Sequence, residues 1–447
     1  MLKRLAGVAT SLEIVIVLAI APVLLFPTPT RLIALSLVPV LWSGAWLTSG
    51  RAIPQTPLNP ALGLLLMMVA VSLYATFDIR FSLGKVSGVI LGVVMFWAVT
   101  RWTTTRQRLE ISIAAFLVAG GALAIVGLLG TNWIDKFPML GAVIHRLPKA
   151  IRGVPGAEEG FHPNAVAGCL VLFVPLQVAL LSGRLRNRVL ESRWITGRQT
   201  WTMAAQAVLL ALTAGTLVLT QSRGAWLGML AALLAFLSWH SRQTRALTAV
   251  AVLSAGFAAW SLGLVRVLNL AVSQAGPGMA GDVSGRLELW SRAIYAIADF
   301  PFTGMGMNTF RKLMPVLYPP SLIPPDIDVA HAHNHLLQAA LDLGLPGLIA
   351  YAALWLLTST LLVAVYRDST VQVDRTVARG LIASLIAHFS FGMTDTIPLG
   401  AKVGVAFWLT LALAVALHRV AFSRVDHQSE NPASVASSKN ILTVSSE

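Results

Sequence analysis

The chain has 447 residues, of which 56% are hydrophobic and 12% are charged, and its mean hydropathy is +0.74. This balance excludes a protein that stays in solution without a membrane. The formal net charge of +14 is spread over short segments between apolar blocks. Because no compact basic module is present, a nucleic-acid partner is not expected. Cys169 is the only cysteine, which excludes a disulfide framework and a cysteine-based metal site.

Apolar blocks of about 20 residues, the length of one bilayer span, recur about twelve times along the chain. Because lipid cannot satisfy backbone polar groups, such spans must be helices, and the predicted class is an all-α polytopic bundle. The first span follows Lys3 and Arg4 and is interpreted as a helix rather than a signal peptide, since more spans follow at once. The spans are predicted at Leu12–Phe26, Leu32–Leu47, Ala61–Phe77, Leu83–Val99, Ile111–Leu129, Asn164–Leu181, Met203–Thr220, Ala225–Trp239, Leu247–Leu264, Leu343–Tyr366, Val377–Ile397 and Val403–Leu417.

The distribution of arginine predicts the orientation. Arginine-rich connections alternate with arginine-poor ones, most clearly at Arg184–Arg198, so we expect both termini in the cytoplasm. One membrane domain is predicted over residues 1–424, with a long extracytoplasmic loop at about 265–342, between the ninth and tenth spans. A shorter extracytoplasmic segment is Gly130–Pro163. The Ser-rich residues 425–447 are expected to be a disordered cytoplasmic tail.

The long loop contains a predicted amphipathic helix, Ser284–Phe300, which we expect to lie along the membrane surface over the bundle. The segment Pro301–Gly306 ends it, and the proline-rich segment Pro315–Pro325 predicts an extended path. The apolar positions of the helix at helical spacing are Leu287, Trp290, Ile294 and Ile297.

Polar residues gather where the chain re-enters the membrane, at His331, His333, Asn334 and His335. Histidine exchanges a proton near neutral pH, and a histidine at a membrane mouth can take the proton of an acceptor hydroxyl as a general base. The alternative interpretation is a metal-binding or merely interfacial cluster.

Three arginines are expected on the same side of the membrane. Arg223 lies in the turn Gln221–Gly224 between two apolar helices, where it needs an anionic partner or a water-filled cavity, or else snorkels to the headgroups. Arg286 and Arg292 lie in the long loop, and guanidinium binds phosphate in a fork that lysine cannot reproduce. Glu288 is expected to pair with Arg292 at i,i+4.

Acidic residues offer two further patterns. Asp326 and Asp328 form a D-x-D sequence of the kind that holds a metal in some glycosyltransferases, although a loop or turn role is favoured. Asp395 and His388, seven residues apart on one predicted helical face, are either a functional pair within the membrane or a packing contact. His162 precedes the sixth span and either caps that helix, the favoured role, or lines the same cavity.

Together these motifs resemble the O-antigen ligase/polymerase superfamily of bacterial membrane glycosyltransferases, most strongly over Leu209–Leu357. His333 and Asn334 are followed after nine residues by Gly344-x-x-Gly347, which is similar to the family's motif. The other pieces occur in the family's order, namely the Gln221–Gly224 turn, Gly285-Arg286 with Trp290, and Pro301–Gly306.

The resemblance implies an inverting, metal-independent transferase of the GT-C type that needs no cofactor. It would act at the outer face of the bacterial cytoplasmic membrane on a glycan linked to undecaprenyl diphosphate. His333 would be the base, and Arg223 and Arg286 would hold the diphosphate. Residues that could support them are Asn334, His331, His335, Trp290, Arg292, His162 and Asp395.

The acceptor stays open. In ligases of the family the acceptor is lipid A-core, and in repeat-unit polymerases it is another lipid-linked glycan. We favour the ligase slightly over the polymerase. Protein O-oligosaccharyltransferases of the family usually have a larger C-terminal extracytoplasmic extension, which is absent here. A transporter of lipid-linked glycan is the alternative from another class, but transporters gather polar residues near mid-membrane, whereas here they gather at the outer edge.

Overall fold

The computed structural model describes residues 2–25, 33, 36–154, 157–191, 197–263, 283–324 and 327–429. It is helical, as the apolar blocks predict, and no strand longer than an isolated bridge occurs in these ranges. The helices are α1 Leu2–Leu25, α2 Leu37–Ser49, α3 Asn59–Ala75, α4 Ile79–Trp102, α5 Arg106–Gly130, α6 Pro138–Ile144, α7 Pro163–Leu170, α8 Val174–Glu191, α9 Gly197–Leu219, α10 Arg223–His240, α11 Arg242–Leu262, α12 Val283–Asp299, α13 Phe310–Leu317, α14 His335–Asp368, α15 Gln372–Gly392 and α16 Val405–Ser429.

Six helical segments of the described chain are long and apolar enough to cross a membrane, judged by length and composition. The all-α class is thereby confirmed, and the chain is a helical membrane protein. The six are Ile79–Trp102, Arg106–Gly130, Pro163–Arg186, Thr200–Leu219, His335–Asp368 and Lys402–Ser423, and shorter apolar helices are Leu12–Leu24, Leu37–Leu47 and Asn59–Ala75. A helix also lies at each remaining predicted span, but the full set of about twelve spans stays a prediction.

The core of the bundle forms where α14, α15 and α16 pack against α3, α4 and α8. Large side chains such as Phe96, Leu354 and Trp408 are fully buried there. Helix α10 packs along α15 at close range, because Gly228 leaves no room between the two backbones: a Cβ there would lie 2.4 Å from the carbonyl oxygen of Ala387. These contacts fix the helix ends that carry the polar residues.

Charged side chains divide between the two ends of the bundle. At one end, Arg101 Nε lies 2.9 Å from Glu13 Oε2, Arg106 pairs with Asp374, and Arg419 donates to backbone carbonyls at the end of α4. This is the end that the arginine distribution assigns to the cytoplasm. The other end is formed by the C-termini of α5, α9 and α15 and the N-termini of α7, α10 and α14.

Two predicted elements differ from the structure. The sixth span is interrupted by a turn at residues 171–173, which divides it into α7 and α8. At the C-terminus, α16 continues to Ser429, into the predicted tail, and residues 430–447 of that tail lie outside the described residues.

The described part of the long loop, from Val283 onward, carries two helices that share a small hydrophobic cluster. The predicted amphipathic helix is confirmed as α12. Leu289, Ala293 and Ala296 are buried, whereas Ile294 is 56% exposed. The extended path was predicted to begin too early, since Pro315 lies inside α13. Residues 264–282 of the loop lie outside the described residues.

A break in α14 at Gly344 receives the segment that follows α12. Gly344 has φ +69° and ψ 178°, which interrupts the helix, and the freed N–H of Leu345 donates to Pro301 O at 2.7 Å. One turn earlier, the N–H of Met305 donates to Leu341 O at 2.8 Å. A Cβ at Gly344 would lie 2.5 Å from Phe302 O, so the position requires glycine.

Candidate active site

The loop before α14 presents His333 in a strained conformation. The φ of His333 is +52°, in the left-handed region that a residue with a side chain rarely adopts. Asn334, the next residue, caps α14, since its Oδ1 accepts the N–H groups of Leu336 at 3.0 Å and Leu337 at 3.1 Å. Asn334 therefore acts on the backbone and fixes where the helix begins.

Buried polar side chains of α14 hold the loop that contains His333. The N–H of Ala332 donates to Gln338 Oε1 at 2.9 Å, and Gln338 Nε2 donates to Asp342 Oδ1 at 2.9 Å. The same carboxylate oxygen accepts the N–H of Asn308 at 3.2 Å. The loop with His333 and the segment after α12 are thus anchored to two side chains of α14, Gln338 and Asp342, which are hydrogen-bonded to each other.

His333 contacts Asp395, which lies just beyond the end of α15. Nδ1 of His333 is 3.0 Å from Asp395 Oδ1. Burial raises the pKa of Asp395, but the interactions with His333, which include its hydrogen bond, and with His331 and Arg286 outweigh burial and hold that pKa well below its ordinary value. The ionised carboxylate accepts the hydrogen bond of Nδ1–H, and in this tautomer of His333 the lone pair lies on Nε2.

His331 faces the same carboxylate but is oriented differently. Its Nδ1 accepts the backbone N–H of His333 at 3.3 Å, and its Nε2 lies 3.9 Å from Asp395 Oδ1. Burial lowers the pKa of His331 to about 3, with a further contribution from His333. The ring is therefore neutral, with its proton on Nε2 directed towards Asp395.

His335 lies apart from the other two histidines. Its Nδ1 is 3.0 Å from the hydroxyl of Tyr351, and the ring packs edge-on against Trp355 and Phe389. The structure thus places His335, the first residue of α14, in the aromatic core and not beside Asp395.

The expected pairing of Asp395 with His388 is also wrong. Helix α15 ends at Gly392, so Asp395 does not share a helical face with His388, whose Nδ1 donates instead to the carbonyl of Gly168 at 2.9 Å. Asp395 Oδ2 accepts from Asn164 Nδ2 at 2.5 Å, and Oδ1 accepts the N–H of Thr396 at 2.8 Å.

His162 caps α7, as favoured from the sequence, and also borders the cluster. Its Nδ1 accepts the N–H of Asn164 at 3.2 Å. Burial lowers the pKa of His162, while Asp395 raises it and the charges of Lys136 and His333 lower it further. His162 therefore lies within electrostatic range of the catalytic candidates.

Lys136 joins the site although the sequence did not single it out. Its Nζ lies 3.5 Å from Asn164 Oδ1. Burial lowers its pKa, Asp395 raises it, and Arg223 and Arg286 lower it. A lone lysine in a loop has no pattern from which this placement could be inferred. The only signal in the sequence is indirect. Gln221 stands beside Arg223 at the membrane edge, and its amide needs hydrogen-bond partners, one of which is the N–H of Lys136.

That glutamine, Gln221, attaches the loop of Lys136 to the arginine turn. Gln221 is fully buried with φ +52°, and its Oε1 accepts the N–H groups of Lys136 at 2.9 Å and Phe137 at 2.6 Å. The guanidinium of Arg223 lies over the Phe137 ring, 5.4 Å from its centroid. Gly224 lets the turn approach Thr394 closely, since a Cβ there would lie 2.4 Å from Thr394 Oγ1. The turn thus places Arg223 beside Phe137 and within electrostatic range of Lys136 and Arg286.

Arg286 approaches from α12, close enough for its charge to act on Arg223, Lys136 and Asp395. Among the described residues, no carboxylate forms an ion pair with Arg223 or Arg286. The Nε of Arg286 is buried without a hydrogen-bond partner from the described protein. Both guanidinium groups are therefore free for an anionic ligand.

Arg292 and Trp290 have other surroundings. Arg292 Nη2 lies 3.3 Å from Glu288 Oε1, as predicted, and Glu288 also accepts the N–H groups of Ser321 at 2.6 Å and Leu322 at 2.8 Å. Arg292 therefore helps to fix the proline-rich segment. Trp290 is half-buried, and its Nε1 has no partner within the described part of the chain.

The D-x-D pattern is partly described. Asp326 lies outside the described residues. Asp328 accepts two hydrogen bonds from Arg311 Nε, at 2.8 and 2.9 Å, and also pairs with Arg311 Nη2. This pairing is consistent with the favoured loop role.

The assembled site combines a histidine–aspartate pair with a group of three cations. Arg223, Arg286 and Lys136 can hold a polyanion, and His333 Nε2 can accept a proton. His331, His333 and Asp395 also place three possible metal-ligand atoms within 4.8 Å of one another.

Comparison with known families identifies the segment that carries most of these residues. Residues 208–352 match the family model described as O-antigen ligase. The match includes Arg223, Arg286 and His333, and it confirms the resemblance to the O-antigen ligase superfamily. Lys136 and Asp395 lie outside the matched segment. No curated protein matches the chain.

Proposed function

Since residues 208–352 match the O-antigen ligase family model, we propose that this chain transfers a glycan from undecaprenyl diphosphate to an acceptor hydroxyl. In this proposal the enzyme is an inverting, metal-independent GT-C-type transferase. It lies in the bacterial cytoplasmic membrane with both termini inside and its active site on the outer face. The observation that carries the proposal is the juxtaposition of the His333–Asp395 pair with Arg223, Arg286 and Lys136.

His333 is the proposed general base. With Nδ1–H held by Asp395 at 3.0 Å, the Nε2 lone pair takes the proton of the acceptor hydroxyl. The acceptor oxygen forms the new bond to the anomeric carbon while the bond from that carbon to the diphosphate breaks. The neighbouring carboxylate stabilises the imidazolium that forms, as in other histidine–aspartate pairs.

The orientations of the three histidines support this choice of base. His331 uses Nδ1 to accept a backbone N–H, so the proton of its neutral ring is on Nε2, and neither nitrogen can take the proton of an acceptor hydroxyl. His335 lies in the aromatic core beside Tyr351. Of the three, His333 alone combines a carboxylate partner at one nitrogen with an unoccupied second nitrogen.

The three cations are the proposed donor site. Negative charge grows on the diphosphate as it leaves, and fixed guanidinium groups stabilise that charge without reorganisation. Neither arginine has a carboxylate partner among the described residues, so their charge is not already neutralised within the protein. Lys136 adds a third positive charge at the same place.

The family description favours the ligase, with lipid A-core as acceptor, and the repeat-unit polymerase is the second candidate. We propose to offer the purified full-length protein one defined undecaprenyl-diphosphate glycan with either lipid A-core or a second lipid-linked glycan. A glycosylated lipid A-core is the expected product. Elongated lipid-linked glycan instead would identify a polymerase. No product from either, together with movement of the donor across vesicle membranes, would favour the transporter.

A further inference from the structure

The donor atoms around Asp395 have the composition and spacing of a transition-metal site. We propose that His331, His333 and Asp395 bind a divalent metal ion, with Zn²⁺ the best fit, and that the bound ion prevents His333 from acting as a base. The blocking of the base rests on the proposed function. The binding of the metal ion does not depend on that function.

The distances suit tetrahedral coordination. Zn²⁺ binds imidazole nitrogen and carboxylate oxygen at about 2.0–2.2 Å, so adjacent ligand atoms of a tetrahedral site lie about 3.4 Å apart. The two measured separations from Asp395 Oδ1 fall on either side of this value, at 3.0 Å to His333 Nδ1 and 3.9 Å to His331 Nε2. All three ligand atoms lie within 4.8 Å of one another. Small side-chain movements would therefore complete three corners of the tetrahedron and leave the fourth for water.

Outer contacts already orient the carboxylate. Asn164 Nδ2 donates to Asp395 Oδ2 and the N–H of Thr396 donates to Oδ1, the kind of support that metal-ligating carboxylates have. The positive charges of Lys136 and Arg286 oppose the binding of a cation at this site. When Nε2 of His331 binds the metal ion, the ring proton moves to Nδ1, so Nδ1 loses the hydrogen bond that it accepts from the N–H of His333. Binding is therefore expected to be weaker than in a structural zinc site.

Coordination and base catalysis exclude each other at His333. A neutral imidazole that binds Zn²⁺ through Nδ1 carries its one proton on Nε2. The ring proton thus moves from Nδ1 to Nε2, and Nε2 can no longer accept the proton of an acceptor hydroxyl. The histidine cluster could then serve as a metal site and as a catalytic site, but not at the same time.

Zinc binding is tested on the full-length protein in detergent, purified without a histidine tag, by competition with a chromophoric chelator. We expect one Zn²⁺ per chain, and at least about tenfold weaker binding after His331→Ala or Asp395→Asn. The matched control is His145→Ala, which removes the exposed histidine 3.6 Å from Asp135 and should leave binding unchanged. Absence of stoichiometric binding, or equal binding by the His331→Ala and Asp395→Asn variants, would overturn the site.

The effect on transfer is measured separately. Zn²⁺ should inhibit the wild type in the concentration range in which it binds, EDTA should restore the rate, and EDTA alone should not lower it. The Zn²⁺ concentration that halves the transfer rate of His331→Ala should be at least about tenfold higher than the concentration that halves the rate of the wild type. This comparison does not depend on the rate of the variant without Zn²⁺. Binding without inhibition would overturn the proposed block of the base. A wild type without transferase activity would contradict the proposed function, and the binding measurement would still decide the site.

Discussion

The hydrogen bond between His333 and Asp395 decides which nitrogen of the histidine is free. Replacing Asp395 with Asn removes the negative charge that stabilises the imidazolium of His333. It also permits the tautomer of His333 that carries its proton on Nε2. We therefore expect Asp395→Asn to lower kcat on the order of 10²-fold or more, with the KM for donor nearly unchanged. Steady-state kinetics with a defined donor measure both values. A wild-type kcat in this variant would contradict the role of Asp395.

The two unpaired arginines make a different prediction. Arg223→Lys and Arg286→Lys keep the charge but lose the planar fork, so each should raise the KM for the diphosphate donor by roughly tenfold or more. The matched control is Arg292→Lys, because Arg292 is already paired with Glu288 at 3.3 Å. If all three variants behave alike, the arginines do not bind the donor in the proposed way.

His333, Arg223 and Arg286 could be predicted from the sequence, because dense histidines and membrane-edge arginines are conspicuous. The contact between Asp395 and His333 could not, because these residues are 62 positions apart in the chain. Helical periodicity predicted His388 as the partner of Asp395. Because α15 ends at Gly392, the two residues do not lie on one helical face. Lys136 reaches the site through backbone hydrogen bonds to Gln221, which no local pattern encodes.

Among the elements, α14 and the segment after α12 depend on each other. Gly344 interrupts the helix and leaves the N–H of Leu345 to bond Pro301 O at 2.7 Å. Gly344→Ala combines a positive φ with a Cβ 2.5 Å from Phe302 O, so it should destabilise the protein by about 2 kcal/mol or more.

The destabilisation is measured as a lower midpoint of thermal unfolding in detergent. Gly215→Ala is the control, since no atom lies within 4 Å of a Cβ at that position in α9, and its midpoint should not fall. An unchanged midpoint in Gly344→Ala would show that the break does not need glycine.

The helices themselves were well predicted, because lipid requires long apolar segments. Their interruptions were not. The turn at 171–173 lies just before Pro175, which has no N–H to donate to the carbonyl of Val171, whereas α13 includes Pro315 despite the tendency of proline to end helices. A proline in an apolar run therefore does not by itself tell whether the helix breaks or continues there.

For the whole molecule, the division of charged residues between the two ends of the bundle predicts its orientation. The single cysteine, Cys169, is buried, so Cys169→Ser supplies a background for added cysteines. His145→Cys, near the catalytic end, should react with a membrane-impermeant maleimide in spheroplasts. Gln243→Cys, at an exposed position in the first turn of α11, should react only after permeabilisation. The reverse labelling would place the site in the cytoplasm.

Glycan transfer with His333 as the base is tested most directly by comparing the wild type with His333→Ala. Both receive a defined undecaprenyl-diphosphate glycan and its acceptor, and His145→Ala is the exposed-histidine control. We expect His333→Ala to lose about 10²-fold or more of the rate while it still binds the donor through Arg223 and Arg286. Transfer by His333→Ala at the wild-type rate would contradict this role of His333.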